Sequence, residues 1–314
     1  MRNPGRNDRF QREARPGAPN SAGSAVRRRP LLVVSAGVLW LPWVIVTTGV
    51  IVTYARLLPD VLYHVSGSGF TGGLSRALVL VNFPIALVAL PVIGLAVDRL
   101  RESVLAVAVA IGATILCLLV FVPGVVDQGD LDWRLVNLLP AIGVGLAVVL
   151  GVVSGLFHDR VPVYRAALAG VVIALVLSLP WLAADWGFHL DGVPVFGWPF
   201  LSGTMVDGHA AVHLGHHHGM DGTLLFLTAL PLIPLSRQVS GAVLRLAIQC
   251  YAGLQIAYGL ANAIQDEWGE QVWKRGWVDT QIPSLLRPEP DPSWFVILTA
   301  AAVFSFLIVR SNAD

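Results

Sequence analysis

The chain has 314 residues, 55% hydrophobic and 13% charged, with a formal net charge of +1. A soluble domain carries about 25% charged residues, so the composition excludes an ordinary soluble globular protein. The apolar stretches are continuous rather than alternating, which excludes a β-barrel pattern and leaves membrane-spanning helices, each needing roughly 20 apolar residues.

Residues 1–29 differ from the rest. Arg2, Arg6, Arg9, Arg12, Arg15 and Arg27 to Arg29 stand among Gly, Pro, Ser and Asn. Such a segment buries too little apolar surface to offset its ordering entropy, so a disordered basic cytoplasmic tail is expected. The following run, Leu31 to Tyr54, is too long for the apolar region of a signal peptide and reads as an uncleaved first span. The expected fold is all-α: a polytopic transmembrane bundle over 30–310, with spans near 31–54, 77–97, 103–123, 135–156, 166–183, 217–235, 239–264 and 294–310. Residues 311–314 form the C-terminus on the cytoplasmic side. Pro42, Pro84, Pro91, Pro231 and Pro234 fall within spans and predict kinks. Cys117 and Cys250 lie in apolar runs and are expected to be small buried hydrophobes, not a disulfide.

The turn after the second span reads Gly94-Leu-Ala-Val-Asp98-Arg99-Leu-Arg101. It resembles the G-x-x-x-D-R part of a loop motif of major facilitator transporters. The likeness covers fewer than ten residues, lacks the glycine after Asp-Arg, and sits in a chain too short for that family's twelve helices. It implies small-solute transport as one function to test. The turn at His158, Asp159 and Arg160 is expected to be structural. Gly143, Ala147, Gly151 and Gly155 recur every four residues in the fourth span, and Gly253, Ala257 and Ala261 do so in the seventh, as close helix packing requires.

The segment 184–216 is expected to be an extracytoplasmic loop rich in His and Trp. Five of the eight histidines lie in ten residues: His209, His213, His216, His217 and His218. If the stretch is helical, His209, His213 and His216 or His217 share a face, and Met220 continues it. Imidazoles so spaced converge on one ion, and neutral imidazole suits Cu and Zn. Asp207 and Asp221 flank the run and could ligate the ion or orient an imidazole. Gly208, Gly215, Gly219 and Gly222 allow instead a glycine-punctuated turn that leads into the sixth helix. H-x-x-x-H (His209, His213) and H-x-x-H-H (His213, His216, His217) resemble the boxes of membrane di-iron desaturases. That family spreads separate boxes along the chain on the cytoplasmic side, and these overlap on the predicted outer side. His64, His189 and Asp191 are also expected outside.

On the seventh span, Gln255, Asn262 and Asp266 recur at helical spacing. Polar residues in a bundle face its interior, so these are expected to line a pocket beneath the histidines, with Glu267 and Glu270 at its rim. Arg245 and Gln249 lie near the cytoplasmic end. Residues 265–293 form a second extracytoplasmic loop, rich in Trp and acid.

Charge placement predicts orientation. With both ends inside, 15 of 21 basic residues are cytoplasmic and 14 of 20 acidic residues external, as the positive-inside rule requires. Among the external basic residues this places Arg76. Eight tryptophans gather at the outer face: Trp133, Trp181, Trp186, Trp198, Trp268, Trp273, Trp277 and Trp294.

The expectation is therefore an inner-membrane protein with an outer-face metal site, Cu or Zn, of catalytic or metal-handling role. The alternatives are a small-solute transporter and a scaffold or accessory subunit. The expected partners are the lipid bilayer and a second copy or membrane-complex subunit, with no nucleic acid.

Overall fold

The computed structural model describes residues 30–56, 68–122, 125, 138–186, 188, 190, 192–194, 205–206, 208–210, 218–283, 285 and 290–313. The basic tail, His64, Trp133, Trp198 and most of the segment 184–216 lie outside the described residues.

The first surprise is a strand. Leu32–Ser35 forms β1, paired antiparallel with β2, Arg160–Val163, so that Leu32 faces Val163 and Ser35 faces Arg160. Leu-Val-Val is β-branched enough to extend when a partner offers a ladder. The first helical turn therefore begins at Ala36, after the Ser35 hydroxyl caps Gly37 N at 3.2 Å, and not at Leu31.

Helix α1 runs Leu41–Arg56. Helix α2, Gly69–Leu80, passes through a π-helical turn, Val81–Ile85, into α3, Ala86–Leu100. Pro84 lies in that turn, where its missing N–H and its ring break the regular ladder. The expected second span begins about eight residues too late, because the small polar stretch before it is helical as well. Helices α4, Val104–Leu118, α5, Leu138–Val153, and α6, Arg165–Asp185, follow. Gly155 ends the α5 region with φ +70°, a left-handed turn that only glycine adopts freely. A short ribbon pairs β3, Met205–Val206, with β4, His209–Ala210. Helix α7 is His218–Ser236, α8 is Ala242–Glu267 with a π-helical extension to Trp273, and α9 is Pro292–Ala313.

Among the described residues, five helical stretches are long and apolar enough to cross a membrane: Ala36–Arg56, Gly69–Leu100, Val104–Phe121, Gly219–Ser236 and Pro292–Ser311. Shorter apolar helices occupy Leu138–Val153 and Arg165–Val176. Val104–Phe121 and Pro292–Ser311 are only 22% and 17% buried against the rest of the protein. Their outward faces carry Ile111, Ile115, Phe295, Val296 and Phe306.

Small residues bring helices together where the glycine stripes predict. A Cβ on Gly143 would lie 2.9 Å from Cys117 on α4, and one on Gly253 would lie 2.4 Å from the Ser305 hydroxyl on α9. Equally close crossings join α7 to α8, where a Cβ on Gly222 would stand 2.4 Å from the Gly259 carbonyl oxygen, and α1 to α2, where one on Gly73 would stand 2.4 Å from the Ile51 carbonyl oxygen. Cys117 is buried as expected, but Cys250 is exposed on the outer face of α8.

Polar contacts gather five chain segments at one end of the bundle. The Ala36 amide donates to the Asp159 carbonyl at 2.8 Å, and the Ser35 hydroxyl donates to the Phe157 carbonyl. Arg99 pairs with Asp159 and donates to Gln238 Oε1 at 3.2 Å. Asp98 accepts from Ser240 and Gly241 at the start of α8, Arg101 donates to Ser240 Oγ at 2.8 Å, and Arg237 donates to the Ser311 carbonyl at 2.9 Å. The turn at 158–160 is structural, as expected, and its Asp159 is a hub of this end.

Candidate functional site

The described part of the histidine segment is not one helix. His209 stands in strand β4, and His218 begins α7. Asp207, His213, His216 and His217 lie outside the described residues. The shared helical face from His209 to Met220 is therefore interrupted: a strand period at one end and a helix period at the other cannot hold a single face. Met220 is 1% exposed and packs in the hydrophobic core. Asp221 lies in the first turn of α7, with its Oδ1 buried and without a hydrogen-bond partner among the described residues. No group of three or more His, Cys, Asp or Glu able to hold an ion occurs among the described residues.

A different polar constellation lies inside the bundle. Arg76 sits within α2 and is 8% exposed, which corrects its placement in an external loop. Its guanidinium carbon lies 5.6 Å from the centroid of the Tyr54 ring on α1. A buried arginine stacks its planar head on an aromatic face when full hydration is out of reach. Its charge also reaches Asp221 on α7, whose charge in turn reaches Tyr258 on α8. Helices α2 and α7, distant in sequence, thus bring opposite charges into one region. An arginine immediately ahead of an apolar run was the sequence cue, masked by the assumption that a span starts where hydropathy rises.

Gln255, Asn262 and Asp266 are all buried on one side of α8, as their spacing predicts. Gln255 Nε2 donates to the Leu225 carbonyl at 2.9 Å and to Thr228 Oγ1 at 2.8 Å, both on α7. The amide is therefore fixed in orientation, since flipping it would set oxygen against the Leu225 carbonyl oxygen. Its Oε1 is buried and has no partner among the described residues. Asn262 Nδ2 donates to the Tyr258 carbonyl at 2.8 Å. Asn82, in the π-helical turn beside Pro84, is 1% exposed, and neither of its amide atoms has a partner among the described residues. A buried polar group without a partner costs about 1–3 kcal/mol, so each such atom needs a compensating water, ion or strain.

Gln255 also lines a cavity of about 260 Å³ between the π-helical turn, α3, α8 and α9. Its aromatic wall is ordered: Tyr258 stacks on Trp294 with centroids 5.6 Å apart, and Phe83 meets Tyr258 edge-on at 6.3 Å. Of the residues expected in a pocket, Gln255 lines this cavity. Asn262 and Asp266 lie further along α8, past the Gly222–Gly259 crossing. Phe83, Tyr258 and Trp294 give no distinctive sequence cue, because an aromatic in an apolar run reads as core.

No family model, curated protein or solved structure matches this chain. Its chemistry rests on its own residues.

At the rim of α8, burial pushes the Glu267 carboxyl up to about 6, against the opposing pull of the Arg275 charge. The Trp268 indole donates to the Thr280 carbonyl at 2.8 Å, and Arg275 stacks on Trp277 at 5.7 Å. These contacts order the start of the acidic, Trp-rich loop.

Proposed function

We propose that this chain is a multi-pass inner-membrane transporter of a small solute, crossing the bilayer eight times with both termini in the cytoplasm. The observation that carries the proposal is the burial of Arg76 inside the bundle, over the Tyr54 ring and with its charge reaching Asp221. Charged side chains inside a membrane bundle are costly and mark substrate or ion pathways.

The crossing number is supported by the polar end of the bundle. Segments near 35, 99, 159, 238 and 311 meet there. Between successive segments the chain makes one excursion out and back, which gives four pairs of crossings. The basic residues of that end, Arg99, Arg101, Arg160, Arg165, Arg237 and Arg245, favour the cytoplasmic side. The apolar outward faces of α4 and α9 suit lipid. The π-helical turn at Pro84 supplies the irregular backbone near which transporters bind their cargo.

The test is uptake into proteoliposomes made with the purified protein. Uptake of one or more members of a small-solute panel is expected, and Asp221→Asn or Arg76→Gln is expected to lower it at least tenfold without changing insertion. Panel-wide uptake no faster than into protein-free liposomes overturns the reading.

One observation favours a second reading, a metal site of Cu or Zn at the outer end. Asp221, in the first turn of α7 and three residues after His218, has an Oδ1 without a partner among the described residues. The undescribed His213, His216 and His217 would complete the ligand set. Elemental analysis decides: about one metal per chain, lost in His213→Ala/His217→Ala, supports it, and metal-free protein that takes up neither Cu nor Zn ends it.

A further inference from the structure

A second hollow opens on the flank of the bundle. It measures about 400 Å³ and lies between the β1–β2 ribbon, α1, α6 and α7. Val46 and Leu224 close its floor, each 1% exposed, while Leu32, Leu41, Ile45 and Leu175 leave its rim open. Along α6 it is lined from Ala167 to Leu182. At a rise of about 1.5 Å per residue this is roughly 22 Å of helix, so the hollow is a trough and not a chamber. Every lining side chain is aliphatic. The ribbon contributes through one face: Leu32 pairs with Val163 and Val34 with Val161, and all four line the trough.

The ribbon end of the trough has the opposite character. Arg165 stands three residues before Leu168 and ten before Leu175, at helical spacing on the same stripe of α6. It is exposed, and no hydrogen bond or ion pair ties it to the described residues. The first α6 amide bonded within the chain is that of Leu168, to the Tyr164 carbonyl at 2.9 Å. The amides of Arg165, Ala166 and Ala167 are therefore the open donors of a helix N-terminus, which carries partial positive charge, and Ala167 itself lines the trough. Arg160, at the other end of β2, is also exposed and adds to the field. The acids of the polar hub are occupied, Asp98 by Ser240 and Asp159 by Arg99.

We propose that this trough binds one acyl chain of an anionic phospholipid, whose phosphate lies on Arg165 and the first-turn amides of α6. The proposal rests on the membrane placement of the bundle and not on the transport of a solute. An aliphatic trough takes a hydrocarbon chain and offers nothing to a polar solute, which would lose its water without gaining a partner. Selection comes from the mouth. A guanidinium matches a phosphate with two parallel hydrogen bonds, and a helix N-terminus receives the same group. The arginine stem lies along the apolar wall while its head reaches the interface. A zwitterionic headgroup would bring its own cation beside Arg165, so a net negative lipid is preferred. Only hydrogen bonds and apolar contacts form, and no covalent step is involved.

The experiment takes the full chain, delipidated in maltoside detergent, and counts bound lipid by native mass spectrometry. Phosphatidylglycerol and phosphatidylcholine with identical acyl chains compete, and glycerol 3-phosphate serves as the headgroup without chains. The protein is expected to retain one phosphatidylglycerol at least fivefold in preference to phosphatidylcholine and not to bind glycerol 3-phosphate. Arg165→Gln is expected to bring the two lipids to within about twofold, and Arg165→Lys to keep most of the preference. Both are expected to melt as the parent does in detergent alone, because the side chain is exposed. Val171→Trp fills the trough without touching the charge and is expected to lower retention of both lipids at least fivefold. A preference untouched by Arg165→Gln belongs to the general attraction of a basic surface and overturns this site. Glycerol 3-phosphate binding as tightly as the lipid overturns the acyl assignment and with it the proposal. Recovery of the chain in solution without detergent overturns the membrane placement together with this site. Solute uptake without a lipid preference overturns this site alone, and a lipid preference without uptake supports it and defeats the transport reading.

Discussion

Asp98 holds the start of α8 through Ser240: its Oδ2 accepts the Ser240 amide at 2.9 Å, and its Oδ1 accepts the Ser240 hydroxyl at 2.8 Å. The Gly241 amide adds a longer contact at 3.4 Å. A carboxylate here fixes the entry to α8 by satisfying the amides of Ser240 and of the N-cap Gly241, although it comes from a helix residue 142 positions before Ser240.

Replacing Asp98 with alanine should therefore destabilise the bundle by about 1–2 kcal/mol, read as a lower melting temperature of the detergent-purified protein. Asp98→Asn keeps an acceptor for one amide and should recover part of the loss. A melting temperature unchanged in Asp98→Ala would show that the α8 start is held by other contacts.

The α7–α8 crossing leaves no room for a methyl group. Gly222→Ala sets a Cβ 2.4 Å from a backbone oxygen that cannot swing aside, so a loss of about 1–3 kcal/mol is expected. Gly112→Ala in α4 meets nothing within 4 Å and should be neutral or stabilise by up to about 1 kcal/mol. Size-exclusion profiles and thermal unfolding of the two variants separate a packing effect from general intolerance of substitution.

The Glu267 carboxyl has a folded-state pKa of about 6, above its ordinary value of 4.5, because burial disfavours the charged form. The folded protein then holds this proton more tightly than the unfolded chain. Its contribution is fully present below pH 4.5 and is lost as pH rises through 6. Glu267→Gln removes the penalty of burying a charge. Its melting temperature should exceed that of the parent at pH 8, and the difference should shrink toward pH 4.5. A constant difference across this range would mean that the carboxyl does not titrate there.

Topology is open to direct labelling. With Cys250, exposed on α8, replaced by alanine, a cysteine at Gly192 should react with an impermeant maleimide in intact cells. A cysteine at Glu102 should react only after lysis. The reverse pattern would invert the bundle and remove the positive-inside argument.

The apolar runs and their punctuation were enough to read a helical protein with helices suited to a membrane, because span length and backbone satisfaction in lipid are local constraints. The four-residue stripes at Gly143 and Gly253 likewise announced close helix contacts. Spacing alone also put Gln255, Asn262 and Asp266 on a buried side of α8, since helical periodicity needs no knowledge of neighbours. What lay beyond the sequence depended on partners far along the chain. Leu32–Ser35 became a strand only because Arg160–Val163 lies beside it. Arg76 entered the bundle only because Tyr54 and Asp221 were there to receive its charge. Gln255 and Trp294 came to line one cavity only because α8 and α9 pack around a gap. A hydropathy window averages such contacts away, since it sees the cost of burying a polar group but not the distant group that offsets it.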